Sequence, residues 1–168
     1  MLLDSRLEFA DALTVAAGAT TIVVVPNSNI IDLGAILGGS AGATAQTPDV
    51  ALGEDLYFTI NVDTEVITAG NAGTLQFALY SNATADLAST PTLHYTSPEY
   101  VTDDSAANSA QLNAGGTIAQ IKLPHGSYQR YLVLGYIIGT TTITAGKINA
   151  FLSKDVSKNV AYPNAVNG

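Results

Sequence analysis

RYLVLGYIIGTTTITAGKINAFLSKD, Arg130 to Asp155, is the stretch that decides how this chain folds. From Arg130 to Ile138 it is rich in β-branched and aromatic residues. Leu132, Leu134, Tyr136 and Ile138 occupy one face, and Tyr131, Val133, Gly135 and Ile137 the other. A half-wet strand alternates apolar with polar; one apolar on both faces belongs in the middle of a covered sheet. Gly139 and Gly146 bracket a threonine-rich connector. Lys147 to Ser153 then returns with Ile148, Ala150 and Leu152 on one face and Lys147, Asn149 and Ser153 on the other. Phe151 interrupts the polar face, which implies that this face is not fully wet. The pattern predicts a β-hairpin with one covered strand and one partly exposed neighbour.

Working outward, the same period-two signal recurs. Glu54–Val62 sets Leu56, Phe58, Ile60 and Val62 against Tyr57, Thr59 and Asn61, followed by a loop from Asp63 to Gly73. Thr74–Ser81 sets Leu75, Phe77 and Leu79 against Gln76, Ala78 and Tyr80. Shorter extended segments are expected at Thr20–Val25, Ile30–Leu33, Pro91–Tyr95, Tyr100–Val101 and Thr117–Leu123, with a helical turn after Asp104. Seven to nine short strands separated by Gly, Pro and Asn turns, with no long helical period, indicate an all-β fold. A jelly-roll-like antiparallel β-sandwich is the form expected at this length. We expect a single domain over 1–168 with an N-terminal arm at 1–13, a flexible Gly/Ala-rich loop at 34–48 and a polar tail at 156–168.

Composition narrows the function. There is no cysteine, so disulfides and thiolate metal sites are excluded. Charged residues are only 12% of the chain, about half the share usual in soluble domains. Acids outnumber bases 14 to 6, a balance that repels nucleic acid and anionic membrane surfaces. Asp4, Arg6 and Glu8 break up the apolar core that a signal peptide would need, so none is expected, and no apolar run is long enough for a transmembrane helix.

No catalytic constellation stands out. His94 and His125 are the only imidazoles, no H-x-H pair occurs, and each lies at a strand end or turn, the setting of an ordinary surface histidine. Asp103 with Asp104, or Asp63 with Glu65, are oxygen donors of the calcium type, but no EF-hand spacing accompanies them and acidic loops are usually just solvated. No G-x-S-x-G elbow and no Gly-Lys-Ser/Thr phosphate loop occurs. Hence no enzyme activity, metal or cofactor is expected. What the sequence does offer is apolar side chains in segments that do not look like core: Leu2, Leu3, Leu7 and Phe9 in the arm, and Ile36 and Leu37 in the 34–48 loop. Each large side chain left in water forgoes about 1.5–3 kcal/mol, so these are expected to dock, on their own domain or on a neighbour.

Several segments taken in order resemble a known family. MLLDSRLEFADA at 1–12, SNIIDLG at 28–34 and the 130–155 block with a trailing Tyr162 are similar to the capsid cement (decoration) proteins of short-tailed bacteriophages. The resemblance implies a jelly roll, a homodimer or other homo-oligomer, that binds the outer surface of a capsid and bridges neighbouring major capsid proteins. It implies a place in the virion, with neither enzyme activity nor cofactor. A carbohydrate- or receptor-binding sandwich is the alternative, because eight tyrosines could furnish a sugar-stacking face.

Overall fold

Alternating apolar residues become two antiparallel sheets packed face to face in a computed structural model of the chain. It describes residues 7–15, 20–24 (backbone only), 29–33, 55–70, 73–85, 91–105, 107–125 and 128–154. The strands are β1 (Glu8–Thr14), β2 (Thr20–Val24), β3 (Ile31–Asp32), β4 (Tyr57–Thr68), β5 (Gly73–Asn82), β6 (Thr92–Thr96), β7 (Tyr100–Thr102), β8 (Thr117–Lys122), β9 (Tyr131–Gly139) and β10 (Ile143–Ser153). A short 3₁₀ turn, Ala110–Leu112, precedes β8 and plugs the core with Leu112.

One sheet runs β1-β10-β4-β8. The other runs β2-β9-β5-β6, with β3 also on β9 and β7 also on β5. The first strand therefore pairs with the last, and the second with the last but one. Apart from the additions of β3 and β7, successive strands mostly alternate between sheets. That is the jelly-roll winding, so the fold class agrees with the sequence reading.

The hairpin expected at 130–155 is not formed. β9 and β10 lie in different sheets and share no ladder. The reason lies in β9 itself: being apolar on both faces, it takes a central place, with β2 and β3 on one edge and β5 on the other. β10 is likewise enclosed by β1 and β4. The link between them crosses from one layer to the other, turning at Thr140 (φ 69°), while the Thr141 N–H donates to the Gly139 carbonyl at 2.8 Å. Leu132, Leu134, Tyr136 and Ile138 thus enter the same core as Ile148, Ala150 and Leu152 from the opposite layer. Phe151 is buried on the far side of β10, as its place on an otherwise polar face implied.

Two further boundaries differ from expectation. β4 continues past Val62 to Thr68, because Val66 and Thr68 are buried and Thr64, Ile67 and Thr68 pair along β10, although the exposed run Asp63–Glu65 resembles a loop. Gly146 is accordingly not the end of a connector but a bulge within β10. Its φ of 141° belongs to glycine, and a Cβ there would sit 2.8 Å from the Val66 Cα.

The arm is also shorter than expected. Residues 8–13 belong to an edge strand paired with β10, and Phe9 is 0% exposed, stacked edge-on against Phe58 at 5.7 Å. β1 bulges at Ala12 (φ 47°), where the Asn149 side-chain oxygen accepts the Ala12 N–H at 2.6 Å and so replaces a ladder bond. The 34–48 loop and 156–168 tail lie outside the described residues.

Two outcomes test this arrangement. Phe9→Ala should lower unfolding free energy by about 3–5 kcal/mol in chemical denaturation, as expected for emptying an aromatic site in a core; a change below about 1 kcal/mol would return Phe9 to a free arm. Gly146→Ala should cost about 1–3 kcal/mol through strain and overpacking, and an unchanged midpoint would mean that β4 and β10 do not approach as described.

Candidate functional site

Among the polar groups, the most elaborate arrangement surrounds His94 at the edge of the second sheet. Its Nε2 lies 2.7 Å from the Ser81 Oγ, and its ring stacks on Tyr128 with centroids 4.1 Å apart. The Tyr128 hydroxyl donates to the Pro124 carbonyl at 2.6 Å, and the Gln129 N–H donates to the Ser81 Oγ at 3.1 Å. Burial lowers the His94 pKa from its ordinary 6.5, and burial raises that of Tyr128. Serine beside histidine suggests a nucleophile and its base. Here Ser81 is 0% exposed, so no substrate carbon can approach its oxygen. His125 is exposed after Pro124 and takes no part in this contact.

The carboxylates singled out in the sequence accept hydrogen bonds from neighbouring backbone and side-chain groups. Asp103 accepts the Ser105 N–H at 2.9 Å and Asp104 the Gly70 N–H at 3.3 Å. Glu65 accepts from the Asn108 amide at 3.2 Å, and Asp63 from the Thr64 hydroxyl at 3.1 Å. Among the described residues no three His, Asp or Glu side chains are grouped to hold a metal. At the other end of the sandwich acids are matched by bases. Lys122 meets Asp55 at 2.6 Å, and Arg130 makes a two-pronged bond to Asp32 at 2.9 and 2.8 Å while lying 4.9 Å above the Tyr131 ring. The bond to Asp32 pushes the guanidinium pKa up. No helix among the described residues is long and apolar enough to cross a membrane.

The expected contact residues divide. Phe9 is core, and Leu7 packs partly buried against that core. Leu2, Leu3, Ile36 and Leu37 lie outside the described residues. Among the described residues the exposed large apolar side chains are Ile30 at 37%, Leu93 on β6 at 51% and Val101 on β7 at 40%. Leu93 and Val101 sit where one edge of β5 is shared between two short strands.

Simple alternation hides Leu93. In TLHYT it shares a parity with Tyr95, and Tyr95 packs against the core, edge-on to Phe58. A bulge intervenes: Leu79 pairs with Tyr95 but Tyr80 pairs with Leu93. One extra residue turns Leu93 to the outer face and leaves His94 beside Ser81. No composition cue marks that slip.

This jelly roll matches the sequence model of Bbp16, a phage-related family, over residues 9–152, most of the chain. The chain belongs to the Bbp16 family. The match begins within β1 and ends within β10, so family membership covers the whole described sandwich. No curated protein gives a significant match.

If Leu93 and Val101 serve a partner of this Bbp16-family sandwich rather than the fold, replacing either with Ser should change its stability by no more than about 0.5 kcal/mol, the range of ordinary surface changes. A loss of about 2 kcal/mol in thermal or urea unfolding would assign that side chain to the core instead.

Proposed function

We propose that the protein binds the outer surface of a phage capsid and bridges neighbouring major capsid proteins, stabilising the shell. The observation that carries this reading is membership of a phage-related family by a chain whose described residues form one jelly roll. The ordered likeness of residues 1–12, 28–34 and 130–155 to capsid cement proteins supports it. So do the two most exposed large apolar side chains among the described residues, Leu93 and Val101, which share one strand edge. On this reading the protein acts in the virion without cofactor or catalysis, and itself and the major capsid protein are its partners.

Adhesion by folded surface needs only buried area. A standard interface covers about 1,600 Å², and a copy seated across two shell subunits must lose one such contact before they separate. Icosahedral symmetry repeats the bridge, so modest affinity at each position sums to a large resistance against internal pressure. The apolar residues Leu2, Leu3, Ile36 and Leu37 are the contact candidates retained from the sequence, joined by Leu93 and Val101.

Mixing the purified protein with undecorated capsids and imaging the product by electron microscopy tests this. The expected result is extra density on the outer surface over subunit boundaries, together with shells that resist heating better than bare ones. Pairwise Ser substitution of Leu2/Leu3, Ile36/Leu37 and Leu93/Val101 should lower occupancy for whichever pair makes the contact. Failure to co-sediment with any shell, combined with saturable binding on a glycan array, would replace this reading with that of a carbohydrate-binding sandwich.

A further inference from the structure

The Ser81–His94–Tyr128 cluster ties the end of two paired strands to the segment that precedes a third. Ser81 is the last residue but one of β5, His94 is the bulged residue of β6, and Tyr128 and Gln129 belong to the connection that enters β9. Hydrogen-bond capacity fixes what this junction tolerates. A serine hydroxyl has one proton to give and two lone pairs. The Ser81 oxygen receives the Gln129 N–H, and the acceptor in reach of its proton is the His94 Nε2. The neutral imidazole protonated at Nδ1 leaves Nε2 free to accept the Ser81 proton. Once Nε2 carries a proton it too becomes a donor, and the O–H of the fully buried Ser81 loses that acceptor.

We infer that this cluster is a pH-sensitive latch: protonation of His94 releases the Gln129 backbone from Ser81 at the β5–β6 edge, loosening that end of the sandwich in mildly acidic conditions while the middle of the core stays folded.

The groups facing His94 are uncharged at neutral pH. Ser81 belongs to β5, and Tyr128 and Gln129 to the connection; the Tyr128 phenol is pushed above 10 by burial. Desolvation alone lowers the His94 pKa, so no charge among the described residues compensates an imidazolium. The Tyr128 face does attract a cation and works in the opposite direction. Because neutral His94 is favoured in the folded chain, the latch contributes fully above the unfolded value of 6.5. Its contribution is lost as pH falls below 6.5 towards the lower folded value.

The test follows the imidazole signals and the Gln129 amide by NMR of the full chain from about pH 7.5 to about pH 4.5, with His125→Asn assigning the two histidines. The expected result is a His94 pKa below 6.5 and Gln129 exchange protection that falls by up to about tenfold per pH unit between 6.5 and that pKa, after correction for intrinsic exchange, and levels off below it, while amides in the middle of β9 stay protected. His94→Gln should flatten the pH dependence, and Ser81→Ala should leave Gln129 unprotected at both extremes. A His94 pKa at or above 6.5, or Gln129 protection that ignores its titration, overturns the latch. Both are read on the unsubstituted protein, so they stand even if a variant fails to fold.

Discussion

Everything in this molecule depends on the contact between the inner faces of two sheets. Phe58, Ile60 and Val62 of β4 with Ile148, Ala150 and Leu152 of β10 supply one side; Leu75, Phe77 and Leu79 of β5 with Leu132, Leu134 and Tyr136 of β9 supply the other. Each such side chain contributes about 1.5–3 kcal/mol on leaving water, so a slip of one residue in any of these strands would forfeit several contributions at once. The register of the central strands is therefore fixed by the slab they share. Among the described residues the Tyr136 hydroxyl, at the middle of β9, is buried without a hydrogen-bond partner, as are the Thr102 hydroxyl and the Gln129 side-chain oxygen. An orphan of this kind costs about 1–3 kcal/mol, small beside the aromatic area the ring buries.

That slab also explains which features are legible in the sequence. Positions that face it repeat at period two over long strands, so β5 and β9, and the first half of β4, stand out directly. Leu75, Phe77 and Leu79 all lie where alternation puts them. What alternation does not encode is which layer the next strand joins. An apolar strand, a short polar link and another alternating strand describe a hairpin and a crossing between layers equally well. The 139–146 region has the look of the first and is built as the second. The distinguishing fact is non-local: β9 has both edges taken by strands far away in the chain.

Bulges account for most of the remaining differences. Each inserts one residue and reverses the parity of the positions beyond it. Gly146 resembles a turn glycine because a close approach to Val66 and a tight turn both require the absence of a Cβ. Ala12 makes the first strand look irregular in sequence, so Phe9 reads as part of an arm although it stacks in the core. The slip between Tyr95 and Leu93 conceals both an exposed leucine and the contact of His94 with Ser81. The chemistry-bearing residues are thus visible as residue types, but their neighbours depend on single-residue insertions that composition does not reveal.

The edges of the sandwich bear on what such a surface can be used for. An unbroken apolar edge strand invites pairing with any other chain. Here the β6–β7 edge is interrupted at Ser97–Pro98–Glu99, and the Ser97 side chain occupies the gap, its Oγ accepting the Phe77 N–H at 2.9 Å while donating to the Pro98 carbonyl at 2.8 Å. β1 is kinked at Ala12 with its N–H turned to the Asn149 side chain, and β8 carries exposed Thr117, Gln120 and Lys122. These devices satisfy or shield backbone groups that would otherwise template a fibre. Among the described residues the large apolar exposure on this edge, at Leu93 and Val101, is one of side chains rather than an open ladder. Side-chain contacts are selective for shape, whereas free backbone is not. A protein that must sit at many equivalent places on one surface, without polymerising through its own edges, requires that separation between closed backbone and open side chains.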